Sequence, residues 1–135
     1  MKRCKLVLAL RPVIETIDFE KTPLKDELFQ NEVLRPILKF QNPLIIDFFI
    51  HQCIIYKSLY FQLEIEEKTH YINQLLDKNQ NVRNTYIGIL IGAMTSEELK
   101  TYLLNKNHFN KRILNMISKR LKDQIQILLP PETPT

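Results

Sequence analysis

Glycine is the residue whose scarcity most constrains the fold, since only two glycines occur among the 135 residues. β-Sandwiches and nucleotide-binding α/β folds need glycine in tight turns and phosphate loops, where the backbone adopts conformations that other residues resist. Hydrophobic residues make up 44% of the chain and charged residues 25%, which is typical of a globular protein and not of a disordered one. A chain of this length suits one domain. We therefore predict a single compact all-α domain.

Prolines and changes in composition divide the chain into three segments. Residues 1–21 are predicted to form an N-terminal arm, whose apolar residues fit either a short strand or a helix that is broken at Pro12. Residues 22–129 are predicted to form the helical domain. Residues 130–135 begin with two prolines that end the last helix, so we expect a flexible tail.

The helical domain is predicted to contain five or six helices. Thr22 and Pro23 fit an N-cap followed by proline in the first turn, and Pro36 breaks or kinks the helix that they begin. Asn42 precedes the most hydrophobic helix, near 43–62. Because this helix is apolar nearly all round, we expect it to be the central buried element, with the other helices around it. The helices that follow are predicted over residues 65–78, 82–94, 96–105 and 108–128.

Two short patterns predict local contacts within these helices. Thr95 and Glu98 fit a capping box, in which the side chain of each residue hydrogen-bonds the backbone N–H of the other. Gly88 and Gly92 lie four residues apart on one helix face, which allows a second helix to approach closely. The alternatives for this glycine pair are a partner interface or the close approach of a ligand.

A narrow polar strip on the hydrophobic helix is the candidate catalytic centre. It consists of Asp47, His51, Ser58 and Gln62. A carboxylate four residues from a histidine can orient the imidazole and raise its basicity, as a general base requires. However, Ser58 lies two turns, or roughly 10 Å, from His51, and no oxyanion donors can be identified. The strip fits better a polar seam between helices or a face exposed to solvent, so we assign no catalytic residue.

Neither a metal site nor a cofactor site is predicted. The two cysteines, Cys4 and Cys53, do not form a C-x-x-C pair, and the three histidines, His51, His70 and His108, occupy separate segments. The chain also lacks the G-x-G-x-x-G and Walker sequences that bind nucleotides. We therefore expect no metal, no cofactor and two reduced thiols.

Two apolar stretches could suggest secretion or membrane insertion, but neither has the required length and composition. The N-terminal stretch Leu6–Leu10 has five residues, whereas the apolar region of a signal peptide has about 7–15. The stretch 43–63 carries Asp47, His51 and Lys57, whereas a membrane span needs about 20 mostly uncharged residues. The sequence therefore predicts a cytoplasmic protein that does not enter a membrane.

Positive charge is concentrated in the last predicted helix. The residues from Lys106 onward have the same net charge, +4, as the whole chain. Arg120 lies within the apolar half of this helix, so it must be paired or lie at an interface. The opposite half holds the candidate anion-binding residues, which we call the basic stripe: Lys111, Arg112, Lys119 and Lys122. A stripe of this kind either binds phosphates or acidic partners, or is simply solvated.

One ordered series of residues runs through the helical domain. It comprises Phe29-Gln30-Asn31, the run from Leu34 to Asn42, Arg83-Asn84 with Gly88 and Gly92, Thr95 with Glu97, Glu98 and Tyr102, and Asn110-Lys111-Arg112 with Met116, Arg120 and Gln124. Over roughly residues 22–128, this series resembles a group of short bacterial helical proteins that automated labelling often calls glyoxalases. The resemblance implies a compact helical domain. It does not imply lyase chemistry, because glyoxalase-type enzymes hold a divalent metal on the strands of paired βαβββ modules.

The polar members of the series lie at predicted helix starts, ends and kinks. They are Arg35, Gln41, Asn42, Arg83, Asn84, Asn110 and Arg112. We expect them either to cap and brace these junctions through hydrogen bonds or to form a polar network around a shared binding pocket.

The function that these observations favour is a non-enzymatic interaction or regulatory module, which binds an unidentified protein partner or forms a homo-oligomer. The main alternative is a nucleic-acid-binding protein that uses the basic face of the C-terminal helix, as a loose analogue of a helix-turn-helix. A small enzyme centred on Asp47 and His51 is the third interpretation. Enclosure of these two residues in a cleft would favour the enzyme, and an exposed, uninterrupted basic face would favour an anionic partner.

Overall fold

The computed structural model of the protein describes residues 3–12, 25–55 and 59–128. Within these ranges the regular secondary structure is entirely helical, which confirms the all-α prediction. The helices are α1 (Arg3–Leu10), α2 (Lys25–Phe29), α3 (Arg35–Phe40), α4 (Asn42–Ile55), α5 (Ile65–Lys78), α6 (Gln80–Ile91), α7 (Ser96–Leu104) and α8 (Lys106–Asp123). One short 3₁₀ turn, Tyr60–Gln62, lies between α4 and α5, and another, Ile125–Ile127, comes after α8. None of the described helices is both long and apolar enough to cross a bilayer.

A π-helical segment at Gln30–Leu34 joins α2 to α3 into one continuous helical rod. The N–H of Arg35 donates to the carbonyl of Gln30, five residues earlier. Proline lacks an N–H and its ring crowds the preceding turn, so the wider π turn just before Pro36 lets the helix continue where a break or kink was predicted. The predicted cap at Thr22 and Pro23 lies outside the described residues.

The helix count of five or six is too low, because the predicted arm contains a helix of its own. Counting α2 and α3 as one rod, the described part of the chain has seven helices. Residues 3–10 of the arm form α1, so the strand alternative for this stretch is wrong. The rest of the predicted arm and the predicted tail lie outside the described residues.

Helix α1 is attached to the body by two arginines. Arg3 donates to the carbonyl oxygens of Met94, at 2.6 Å, and Gly92, at 2.9 Å. Arg11 donates to the carbonyl oxygen of Ala93 at 2.7 Å. These carbonyls follow the C-terminal end of α6, where the helix dipole favours positive charge. The arm therefore supplies the cationic partners of the α6–α7 junction.

Helix α4 lies at the side of the core and not at its centre. One of its faces is exposed and includes Leu44, Ile54 and Ile55. The opposite face is buried and consists of Ile45, Ile46, Phe49 and Cys53. An all-apolar helix has no periodic signal that tells which face is buried, so its hydropathy overstated its burial. It also ends at Ile55 within the described residues and does not run to residue 62.

The amphipathic helix α8 occupies the position that α4 was expected to take. It packs against α5, α6 and α7. Its buried face consists of Phe109, Ile113, Leu114, Ile117 and Leu121. Because these side chains repeat at helical spacing, α8 presents one continuous apolar surface to three neighbours.

Helices α4 and α6 are joined through a buried tyrosine. The hydroxyl of Tyr86 donates to the carbonyl oxygen of Ile45 at 3.0 Å, and its ring meets Phe48 edge to face, with centroids 5.0 Å apart. Burial raises the pKa of Tyr86 far above its ordinary value, and the nearby Cys53 adds to this effect. The hydroxyl therefore stays neutral and serves as a permanent donor.

Local signals decide the starts of the later helices. The side chain of Asn79 accepts from the N–H of Val82 at the start of α6. Thr95 and Glu98 form the predicted capping box of α7, with Thr95 N–H donating to Glu98 Oε1 at 2.8 Å. Helix α5 has the predicted bounds, whereas α8 ends at Asp123, earlier than residue 128.

The predicted helix contact at Gly88 and Gly92 is absent from the described structure. A Cβ atom placed on Gly88 would meet no atom within 4 Å. A Cβ atom on Gly92 would lie 3.2 Å from the carbonyl oxygen of Gly88, in its own helix. This face of α6 is exposed to solvent at both glycines.

Candidate anion-binding site

A cavity of about 570 Å³ opens between the α3 rod and the C-terminal half of α8. This volume lies within the range of ligand-binding cavities, about 300–1,000 Å³. Its lining includes four cationic side chains, which we call the cationic cluster: Arg35, Lys39, Lys119 and Arg120. Asp123 is the one acidic residue among the described residues that line the cavity. The site therefore has a strong excess of positive charge.

Arg120 is the most distinctive member of the cationic cluster. Its side chain is half-buried, and this desolvation lowers its pKa, although the charge of Asp123 opposes the shift. No hydrogen bond or ion pair joins its guanidinium to any residue that the structure describes. The sequence required Arg120 to be paired or at an interface; it lies on the wall of the cavity, where the charge of Asp123 acts on it without forming an ion pair. A partly buried cation that forms no hydrogen bond or ion pair is energetically unfavourable, because a carboxylate at longer range replaces only part of the hydration that the cation has lost.

Arg112 does not belong to a free basic surface. One of its terminal nitrogens donates to Gln30 Oε1, and its Nε donates to His108 Nε2 at 3.0 Å. The same His108 nitrogen lies 3.1 Å from Asp26 Oδ2. Arg112 therefore braces α8 against the rod formed by α2 and the π-helical segment.

Gln30 lines the cavity and is held by Arg112. Its oxygen is occupied by Arg112, which leaves its Nε2 amide without a partner among the described residues. Arg112 thus acts on the cavity indirectly, by fixing which end of the Gln30 amide is free.

The basic stripe is divided among different surroundings. Lys111 is exposed and lines neither this cavity nor the smaller one beside it. Lys119 is exposed and lines both. Lys122 is half-buried and lines only the smaller cavity, of about 280 Å³, with Asp77 and Asp123. The four residues of the basic stripe therefore do not form the exposed, uninterrupted face that would favour an anionic partner at this surface.

The remaining polar members of the predicted network lie at separate places. Arg35 is exposed and lines the cavity, Asn84 bonds within its own helix α6, and the others bond residues of neighbouring elements. Gln41 Nε2 donates to the carbonyl of Ile89 at 2.8 Å, and the side chains of Asn42 and Gln124 exchange two bonds of 2.9 Å. Arg83 donates to the carbonyl of Asp77 at 3.1 Å, and Gln80 donates to the side-chain oxygen of Asn84 at 2.8 Å. The Tyr102 hydroxyl donates to the side-chain oxygen of Asn110. They serve as braces and do not surround a common pocket.

The candidate catalytic strip lies on the exposed face of α4. Asp47 and His51 are both exposed, and so is Gln62 in the following 3₁₀ turn. Ser58 lies outside the described residues. A general acid or base relies on burial or a fixed partner to tune its proton affinity, and the exposed pair has no such enclosure.

Metal-ligating residue types do not converge in the part of the chain that the structure describes. No group of three or more His, Cys, Asp or Glu side chains there could hold a metal ion. Cys4 is half-buried in α1 and Cys53 is buried in α4, and neither forms a disulfide within the described residues.

Sequence reasoning identified only part of the cavity lining. Arg35, Lys119 and Arg120 were singled out for separate reasons, Lys39 was named only within the run from Leu34 to Asn42, and Asp123 was not proposed as a site residue. The spacing of Arg35 and Lys39, four residues apart, places both on one face of α3 and was an available signal. No pattern within the sequence indicated that this face would meet the C-terminal half of α8.

No protein-family model, no curated protein and no solved structure matches the chain. The chemistry of the cavity is therefore the basis on which a function can be inferred.

Proposed function

We propose that this protein is a helical binding module without catalytic chemistry of its own, and that its anionic partner docks at the cavity between α3 and α8. The observation that supports the proposal is the cationic cluster, which meets one carboxylate among the described lining residues. Like charges held close together repel one another in the unoccupied protein. An anion that enters the cavity removes this repulsion and adds a counter-charge beside Arg120, whose guanidinium forms no hydrogen bond or ion pair with a described residue.

Charge also narrows the range of partners. A second copy of this chain carries the same formal charge of +4, so a homo-oligomer formed through this cavity would be opposed electrostatically. Duplex nucleic acid needs a long exposed face that reaches a groove or follows the phosphates, and the engagement of Arg112 interrupts that face. The exposed Asp47 and His51 give no support to an enzyme.

We place the protein in the cytoplasm as part of this proposal. Neither Cys4 nor Cys53 forms a disulfide within the described residues, which is consistent with a compartment where thiols are kept reduced. We also propose that the chain is related to the short bacterial helical proteins that its sequence resembles. This relationship accounts for a helical domain but assigns no chemical activity.

The experiment that tests the function compares two variants that lose the same charge. Lys39→Gln with Lys119→Gln removes two exposed lysines from the cavity, and Lys106→Gln with Lys111→Gln removes two exposed lysines from elsewhere on α8. Each protein is eluted from immobilised heparin by a salt gradient, and circular dichroism verifies its folding. We expect the cavity variant to elute at clearly lower salt than the control variant, because local and not overall charge decides the contact. Equal elution of the two variants would refute the proposal.

A further inference from the structure

We infer that the occupant of the cavity is a small phosphorylated molecule, in which a phosphate group meets the cationic cluster and an organic group fills the remaining space. The inference rests on the proposed function and specifies its partner. A half-open cavity of about 570 Å³ has room for a molecule of metabolite size, whereas a nucleic-acid duplex could touch only its rim. The size of the cavity therefore favours a small ligand over a polyanion.

The hydrogen-bonding groups of the cavity match a ligand that only accepts. Arginine and lysine side chains donate and cannot accept, and Gln30, whose oxygen already accepts from Arg112, has an Nε2 amide without a partner among the described residues. Gln124 is already bonded to Asn42 and to the carbonyl of Arg120. Asp123 is the one anionic acceptor among the described lining residues, and its charge disfavours ligands that place an anion directly against it.

Charge density favours phosphate over carboxylate. A carboxylate brings one negative charge, whereas a phosphate monoester brings about −1.5 to −2 charges at neutral pH and three strong acceptor oxygens. The cluster has four cations and one opposing carboxylate among the described lining residues. The half-buried guanidinium of Arg120, which forms no hydrogen bond or ion pair with a described residue, can form paired bonds with two phosphate oxygens.

Two apolar side chains give the cavity room for more than phosphate. Leu38 is buried and Met116 is half-buried, and both line the cavity beside the cations. The cavity is several times larger than a phosphate group needs, so inorganic phosphate would leave this apolar wall uncovered. A phosphate ester with an apolar or ring-shaped group would cover it and gain the free energy of apolar burial.

Three small probes at pH 7.5 and low salt test the inference by isothermal titration calorimetry and thermal unfolding. Phenyl phosphate is a phosphate ester with a ring, inorganic phosphate lacks the ring, and isophthalate carries about the same charge on two carboxylates. We expect phenyl phosphate to bind most tightly and to raise the Tm, because a ligand that binds only the folded state stabilises it. We expect its Kd to rise roughly tenfold or more in the Lys39→Gln, Lys119→Gln variant and in Arg120→Gln, since charge-assisted hydrogen bonds are lost.

Matched controls separate the outcomes. Lys106→Gln with Lys111→Gln should change the Kd for phenyl phosphate less than about twofold, because these lysines lie outside the cavity. If Arg120→Gln unfolds the protein, the variant built from the exposed Lys39 and Lys119 still decides the result.

An affinity for isophthalate equal to that for phenyl phosphate overturns the phosphate assignment. An affinity for inorganic phosphate equal to that for phenyl phosphate overturns the assignment of an organic group. If heparin elution depends on the cavity but phenyl phosphate does not bind, the inference falls and the proposed function stands.

Discussion

Glu98 has two structural roles at the residue scale. Its carboxylate completes the capping box of α7 and also accepts hydrogen bonds from both terminal nitrogens of Arg11, one of them at 2.6 Å. The side chains of Arg11 and Glu98 are only 7% and 16% exposed, so water weakens this pair little. Burial by itself raises the pKa of Glu98, but the bonds from Arg11 and Thr95 and the charge of Arg11 outweigh it and lower that pKa overall.

This lowered pKa makes Glu98 a source of acid sensitivity. Because the pKa is lower in the folded protein than in the unfolded chain, the carboxylate stabilises the fold above its unfolded-state pKa, about 4.3. The stabilisation is lost as the pH falls through the folded-state pKa. We expect Glu98→Gln to lower the free energy of unfolding by about 1–3 kcal/mol at pH 7 and by less at pH 3, as measured by urea denaturation.

Glu97 provides the control for this prediction. It lies beside Glu98, is 83% exposed and pairs with the exposed Lys100 at 3.3 Å. Glu97→Gln should therefore change the free energy of unfolding by less than about 0.5 kcal/mol. A loss of stability in Glu98→Gln that is the same at pH 3 and pH 7 would show that its charge is not responsible.

At the scale of single elements, α6 shows how a motif can have the right spacing without the contact that the spacing allows. Gly88 and Gly92 share one face, but that face meets solvent at both positions. Helix α6 is held instead by its ends and its buried side. Asn79 caps its start, Tyr86 bonds α4, and Arg3 binds the carbonyl of Gly92 at its end.

Gly88→Ala is expected to stabilise the protein. Glycine inside a helix costs about 0.5–1 kcal/mol relative to alanine, because the unfolded chain has more freedom to lose, and the added methyl group meets no neighbour. The expected result is a rise of a few degrees in Tm, about 2–5 °C, by differential scanning calorimetry. A fall in Tm would indicate that this face of α6 does contact another helix in solution.

At the scale of the whole molecule, α8 and not α4 organises the core. Ile117 in α8 is fully buried and belongs to the main hydrophobic cluster, whereas Ile54 in α4 is 46% exposed. Helix α8 also brings together its neighbours α5, α6 and α7 around one apolar face. The most hydrophobic segment of the chain is therefore not the most important one for stability.

The same substitution at these two isoleucines measures the difference. Ile117→Ala should lower the free energy of unfolding by about 2–5 kcal/mol, because it removes buried surface and leaves a cavity. Ile54→Ala should cost less than about 1 kcal/mol, since nearly half of its side chain already meets water. Urea denaturation of both variants gives the comparison. Similar losses would support the central helix that hydropathy predicted for residues 43–62.

The candidate site was harder to predict than the fold, and particular residues show why. Arg112 looked like a free cation on the basic stripe, but its partner Gln30 lies 82 positions away in the sequence. Arg120 was recognised as unusual because a charge within an apolar arc is unfavourable, whatever surrounds it. Lys39 carried no such local conflict, and its spacing from Arg35 did not show that the face they share meets α8.

The sequence by itself determined the helical class, the bounds of α5 and the capping box at Thr95 and Glu98. These features depend on glycine content, apolar periodicity and hydrogen bonds that span three or four residues, all of which act within one element. Only the tertiary structure decided which face of α4 is exposed and where the cationic cluster converges. Such outcomes depend on the apolar surfaces that distant helices bury against one another, and this burial has no signature within any single helix.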